Sequence, residues 1–235
     1  MRKPAIICVA IGLLAAFAGG EAVAGQIDLF DYGYNVDGTS SVPTFGDPVP
    51  TNVDESGFDD LSGLGTITAT FNTAGSHYMG LWVDHEIDET VNTYFNEYGS
   101  KVTSPAPPTG LSWEIDEPGY SFGDIFANFE DGTLDGTNDV GAGFEDDVSM
   151  ALAWDFSLNA GDKATVTFTL TQSQPTSGFY LAHRDPDSIE SIYFYSNLNI
   201  QRATPGIVPL PPAFALAIPG LGLAFAARLR RRRKK

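Results

Sequence analysis

The sequence predicts an all-β fold: an antiparallel β-sandwich of jelly-roll or immunoglobulin-like type with minor helices. Three observations carry this expectation. In residues 165–170, Val166, Phe168 and Leu170 alternate strictly with Thr165, Thr167 and Thr169, as a strand with one buried face requires. Short runs of this kind recur along the chain, and turn signals such as Asp37-Gly38, Asp131-Gly132, Asp135-Gly136 and Ala160-Gly161-Asp162 separate them. Helix signals are few, and the absence of a βαβ rhythm excludes a parallel doubly wound sheet.

Taken in order, residues 26–34 are rich in aromatic and β-branched side chains and read as the first strand. Ile67, Ala69 and Phe71 alternate with Thr66, Thr68 and Thr70, and a turn at 73–76 leads into a further strand at 78–83. Residues 111–115 follow. Met150, Leu152, Trp154 and Phe156 then form an apolar face across from Ser149, Ala151, Ala153 and Asp155. Residues 178–183 and 191–200 complete the strands. Helix is expected only at 91–97 and 122–129, where Ile125, Phe126 and Phe129 have helical spacing behind Asp124. The proline-rich 104–110 segment is an extended loop inside one domain, because apolar patterning resumes on both sides.

The two ends have a different character. Arg2 and Lys3 precede an apolar stretch at 5–17 and an Ala22-Val23-Ala24 site, the order of a secretory signal peptide at 1–24. Cys8 leaves with it, so the mature chain has no cysteine. At the other end, after Val208-Pro209-Leu210-Pro211, residues 210–227 carry no charge. As a helix these would span about 27 Å against a hydrocarbon core of roughly 30 Å, with Pro219 inside the run. Arg228, Arg230, Arg231, Arg232 and Arg233, then Lys234 and Lys235, favour the cytoplasmic side of a bilayer. The tail is expected to stop in the inner membrane.

This order of Val208-Pro209-Leu210-Pro211, apolar segment and Arg-rich terminus resembles the VPLPA variant of the PEP-CTERM sorting signals of Gram-negative bacteria, with Pro212 in place of the usual Ala. The resemblance covers about the last 30 residues of 235. It implies processing by an exosortase and delivery to the cell surface or an exopolysaccharide matrix. Residues 146–156 and 160–170 are also similar to segments common in exported proteins with this tail, which supports a strand-loop-strand there.

Residues 25–204 therefore form the ectodomain, and 205–235 the spacer and sorting tail. Of the 30 acidic residues only Glu21 precedes Gly25, and of the 13 basic ones only Lys101, Lys163, Arg184 and Arg202 lie within the ectodomain. The 29 acids against four bases leave a net charge of −25, more extreme than the −17 of the whole chain. Nucleic acid is excluded as a partner, since phosphate binding needs cations. Acidic extracellular polysaccharide would be repelled unless a divalent cation bridged the two. Solubility alone accounts for much of such a charge.

Catalytic signatures are missing: there is no G-x-S-x-G elbow, H-E-x-x-H helix or P-loop. His77, His85 and His183 are dispersed. In the run Asp84-His85-Glu86-Ile87-Asp88-Glu89, a continuing strand would put Asp84, Glu86 and Asp88 on one face, where they repel unless water or a cation intervenes. This run reads as a solvated strand end or loop. Calcium is the one metal suggested, at the Gly-punctuated acidic loop containing Asp131, Asp135, Asp139, Asp146 and Asp147. The EF-hand pattern is not met, because Thr133 and Ala142 occupy its third and twelfth positions. A glycoside hydrolase would need paired carboxylates, sought among Asp84, Glu86 and Asp155 near Trp82, Trp113 and Trp154; Trp154 reads as core. The expected function is a non-enzymatic structural or interaction protein of the cell surface. Calcium-dependent carbohydrate binding is the alternative, and glycoside hydrolysis a third reading.

Overall fold

The computed structural model describes residues 25–90 and 93–204. Ala22 and Ala24, the Val208-Pro209-Leu210-Pro211 motif and the Arg cluster lie outside the described residues. Among those described, no helix is long and apolar enough to cross a membrane.

The described residues form eleven strands: β1 Ile27–Val36, β2 Thr39–Ser41, β3 Val53–Asp59, β4 Leu64–Phe71, β5 Gly75–Ile87, β6 Tyr98–Lys101, β7 Leu111–Asp116, β8 Ser149–Leu158, β9 Lys163–Thr171, β10 Leu181–Arg184 and β11 Ser191–Gln201. They pair antiparallel in two sheets, one ordered β2-β1-β5-β8-β7 and the other β3-β4-β9-β11-β10-β6. The sequence missed β2, β3 and β6, which are short or lack apolar alternation. It also ended β5 early, because Asp84, His85 and Glu86 look like a strand exit.

The period-2 faces close on each other. Leu81, Val83, Met150, Leu152, Trp154 and Ile115 of the five-stranded sheet meet Ile67, Val166, Phe168, Leu170, Leu181 and Phe194 of the other. Each such burial contributes about 1.5–3 kcal/mol relative to exposure. The alternation seen at 150–156 and 165–170 is thus the core-facing pattern.

A second, smaller cluster covers the outer face of the five-stranded sheet. The helix α1, Ile125–Asp131, lays Ile125 and Phe129 on Trp82, Ala151 and Ala153. Small residues make room: a Cβ at Gly80 would stand 3.4 Å from Phe129. The Asn35 amide of β1 donates to the carbonyls of Phe129 and Glu130 at 2.7 and 2.8 Å, satisfying two of the acceptors a helix end leaves open. The sequence placed this helix at 122–129; it starts later and ends at Gly132, whose φ of 68° is the left-handed cap glycine accepts. The other expected helix shrinks to a 3-10 turn at Tyr94–Asn96.

The sandwich has two distinct poles. At one, Gly75 pairs with Leu158 and Gln201 with Lys163, and the last described residues are fastened there. Asp162 accepts the Ala203 N–H and the Arg202 guanidinium, both at 2.7 Å. At the other pole Ile27 pairs with Ile87, and Asp84 and Asp116 both pair with Ser149.

Candidate functional site

At this second pole, carboxylates form a row across the outer face of the five-stranded sheet. Trp82, Asp84 and Glu86 share that face of β5, while Val83, His85 and Ile87 turn into the sandwich. A bulge in β1 between Leu29 and Asp31 shifts the register, so that Asp31 rather than Phe30 lies opposite Asp84. Bulges re-aim side chains in this way. The displaced Phe30 is exposed and meets the edge of Tyr120 at 6.3 Å, and the Tyr120 hydroxyl donates to Asp31 Oδ2. Asp147, just ahead of β8, completes the group.

Asp31, Asp84 and Glu86 are buried and Asp147 half-buried, with no countercharge among the described basic residues. Asp84 is 1 % exposed and Glu86 6 %, so the expectation of a solvated strand end is corrected. β5 continues through Ile87 and the loops after β7 cover it; Asp88, at a φ of 59°, turns away and accepts the Gln26 N–H. Asp84 Oδ1, Glu86 Oε2 and Asp147 Oδ1 are buried atoms with no hydrogen-bond partner. The described basic groups act elsewhere: Lys101 over Trp113, Arg184 over Tyr193, Arg202 on Asp162, and Lys163 at the far pole.

Burial is the main cause of the upward pKa shifts of Asp84, Glu86 and Asp147, reinforced by mutual repulsion. It pushes Asp84 well above the carboxylate range, with Asp147 and Glu86 adding to the effect. Glu86 rises to about 8 and Asp147 to about 6 for the same two reasons. Behind the row, inside the sandwich, Glu97 meets His183, and His183 lies close enough to His85 to act on its charge. Desolvation lifts Glu97 to about 9 and lowers both histidines to about 3.

A cleft of about 250 Å³ opens beside the row, walled by Phe95, Tyr120, Phe122, Glu117, Asp146 and Asp147. Phe30, Phe95, Tyr120 and Phe122 are exposed around it. Aromatic faces and carboxylates with no base among them suit cations and, through a bridging cation, polyols.

The acids of the expected calcium loop are dispersed. Asp135 and Asp139 both accept from Thr137, while Asp146 accepts the Asp147 N–H. Asp131 ends α1. Of these five, Asp147 alone belongs to the buried row. Among the described residues, the group whose ligand oxygens lie within 4.8 Å of one another is Glu114, Asp116 and Asp124. Its buried members already have donors: Asn128 and the Asp135 N–H reach Glu114, and the Asp124 N–H reaches Asp116.

Of the carboxylates considered for glycoside hydrolysis, Asp84 and Glu86 share one face of β5, whereas Asp155 stands apart from both. Asp155 lies opposite Tyr78, six residues along β5 from Asp84. That is about 20 Å at strand spacing, against the roughly 5–9.5 Å such chemistry needs. Trp82, Trp113 and Trp154 are all buried and offer no sugar platform. Asp31, Tyr120 and Phe122 were missed by the sequence reading; the bulge brings Asp31 and, through it, Tyr120 to Asp84, and Phe122 joins Tyr120 in the cleft beside Asp147.

The chain matches no protein-family model, no curated protein and no solved structure. Its site is therefore read from its own chemistry.

Proposed function

We propose that the chain is an exported structural and interaction protein of the cell surface or exopolysaccharide matrix, sorted by its VPLPA-type tail and meeting partners through the acidic pole. The observation that carries this is the opposite placement of the two ends. Residue 204, from which the tail departs, lies at the pole of Asp162, while the buried carboxylates and exposed aromatics lie at the other. A domain held by its tail would present that acidic end outward. The inner membrane holds the intermediate and an exosortase-type enzyme releases it.

Within the sandwich class the jelly-roll type fits better, because the chain changes sheet repeatedly, at β2–β3, β4–β5, β5–β6, β6–β7 and β8–β9. No reaction is assigned to it.

Intact-mass measurement of the surface fraction tests the sorting. The expected species begins at Gly25 and lacks the Arg228 to Lys235 cluster; recovery of the uncut basic terminus from the surface contradicts processing.

The exposed aromatics around the acidic cleft favour one second reading, calcium-dependent carbohydrate binding. Co-sedimentation with the producing cell's exopolysaccharide, present in calcium and lost in chelator, is the expected outcome. Equal sedimentation in both removes it.

A further inference from the structure

We propose that Asp84, Glu86 and Asp147 form a binding site for a divalent cation of calcium type, on the outer face of β5 and β8 beneath Tyr120. The argument starts from three buried carboxylate oxygens, one on each residue, that have no donor. Leaving such atoms unsatisfied is costly, and native folds rarely do so. A proton on each acid removes the charge but turns an acceptor into a donor that needs an acceptor of its own. One cation serves all three once the side chains close on it.

The ligand chemistry selects the ion. The outer face offers carboxylate oxygens and no thiol, while His85 points to the other side of β5, so the set is hard and suits calcium over zinc. The β1 bulge adds Asp31 opposite Asp84, and Tyr120 holds the Asp31 carboxylate by donating to it. The cleft, lined by Asp147 and Tyr120, opens the edge of the group to solvent. The three oxygens stand farther apart than those of Glu114, Asp116 and Asp124, which lie within 4.8 Å of one another. Like charges without a countercharge repel. Asp84 is fixed in the middle of the sheet, so closure on the ion falls to the long Glu86 side chain and to Asp147 ahead of β8.

This inference concerns the folded domain and holds whether or not the tail is processed or a glycan is bound. Thermal melting of the full-length chain in mild detergent tests it. Calcium at about 5 mM, against the roughly 10⁻⁴–10⁻³ M affinity of weak extracellular sites, is expected to raise the melting temperature by about 2–9 °C over chelator. Asp84→Asn and Asp147→Asn abolish the rise, whereas Asp135→Asn in the outer loop and Glu114→Gln in the satisfied set keep it. No rise in the wild type, a rise surviving Asp84→Asn, or its loss in Asp135→Asn overturns the proposal. Should Asp84→Asn not fold, tyrosine-sensitised terbium emission decides. Its loss in Glu86→Gln supports the site, and unchanged emission overturns it.

Discussion

Glu97 joins the two sheets at the acidic pole. One of its carboxyl oxygens accepts the Ile87 N–H at the end of β5 at 2.8 Å, and the other meets His183 Nε2 on β10, with both side chains buried. Burial keeps Glu97 protonated and His183 neutral, so the Glu97 O–H donates to the imidazole. Glu97→Gln preserves a donor and an acceptor at these positions and is expected to cost under about 1 kcal/mol. Glu97→Ala leaves the Ile87 N–H and His183 unpaired and costs about 2–4 kcal/mol. Urea unfolding of the two variants checks the contrast; equal losses would refute it.

The same pair sets a pH dependence. Glu97 has a folded pKa of about 9, above the ordinary glutamate value. Its contribution is full below about pH 4.5 and is lost as pH rises through 9. His183 is depressed to about 3, so its contribution is present above about pH 6.5 and is lost as pH falls towards 3. Stability in chelator therefore declines on the alkaline side, from neutral to about pH 9, and Glu97→Gln flattens that limb. An unchanged alkaline limb in Glu97→Gln would assign it to other groups.

Gly63 is the floor under His85. Its φ is 65°, and a Cβ there would stand 2.1 Å from His85 Nε2, a ring held rigidly in β5. Gly63→Ala is expected to destabilise the fold by about 2 kcal/mol or more, from backbone strain and displacement of the imidazole together. A melting temperature equal to wild type would contradict that.

Asn35 ties α1 to the sheet through the Phe129 and Glu130 carbonyls. Asn35→Ala removes both bonds, and with them the Gly38 N–H bond to the Asn35 Oδ1, and is expected to cost about 1–3 kcal/mol. Trp82, packed beneath Phe126 and Phe129, reports the loosening as a red shift in fluorescence. Unaltered fluorescence with unaltered stability would mean the helix is held by its apolar contacts alone.

Alternation made the sandwich legible. Val166, Phe168 and Leu170, like Met150, Leu152, Trp154 and Phe156, face the core as their spacing indicates. The helix over Ala151 and Ala153 was legible as a helix, yet its docking face was not, because small residues on a strand look equally suited to solvent. The site was least legible. The Asp84-His85-Glu86 run suggested exposure because charge ordinarily seeks water, whereas loops distant in sequence bury it. Asp31 reaches Asp84 only through a one-residue bulge, which no periodicity announces. Asp147 was singled out with the Gly-punctuated loop and belongs instead with β5. The ends of the chain, read from the sequence as signal peptide and sorting tail, lie outside the described residues.

Titration calorimetry of calcium into the full-length chain and its Asp84→Asn variant tests the cation site most directly. The account predicts one saturable site in the wild type, with a Kd of about 10⁻⁴–10⁻³ M as in extracellular modules, and no saturable heat in Asp84→Asn. A wild type without saturable heat, or a variant that binds equally well, would contradict it.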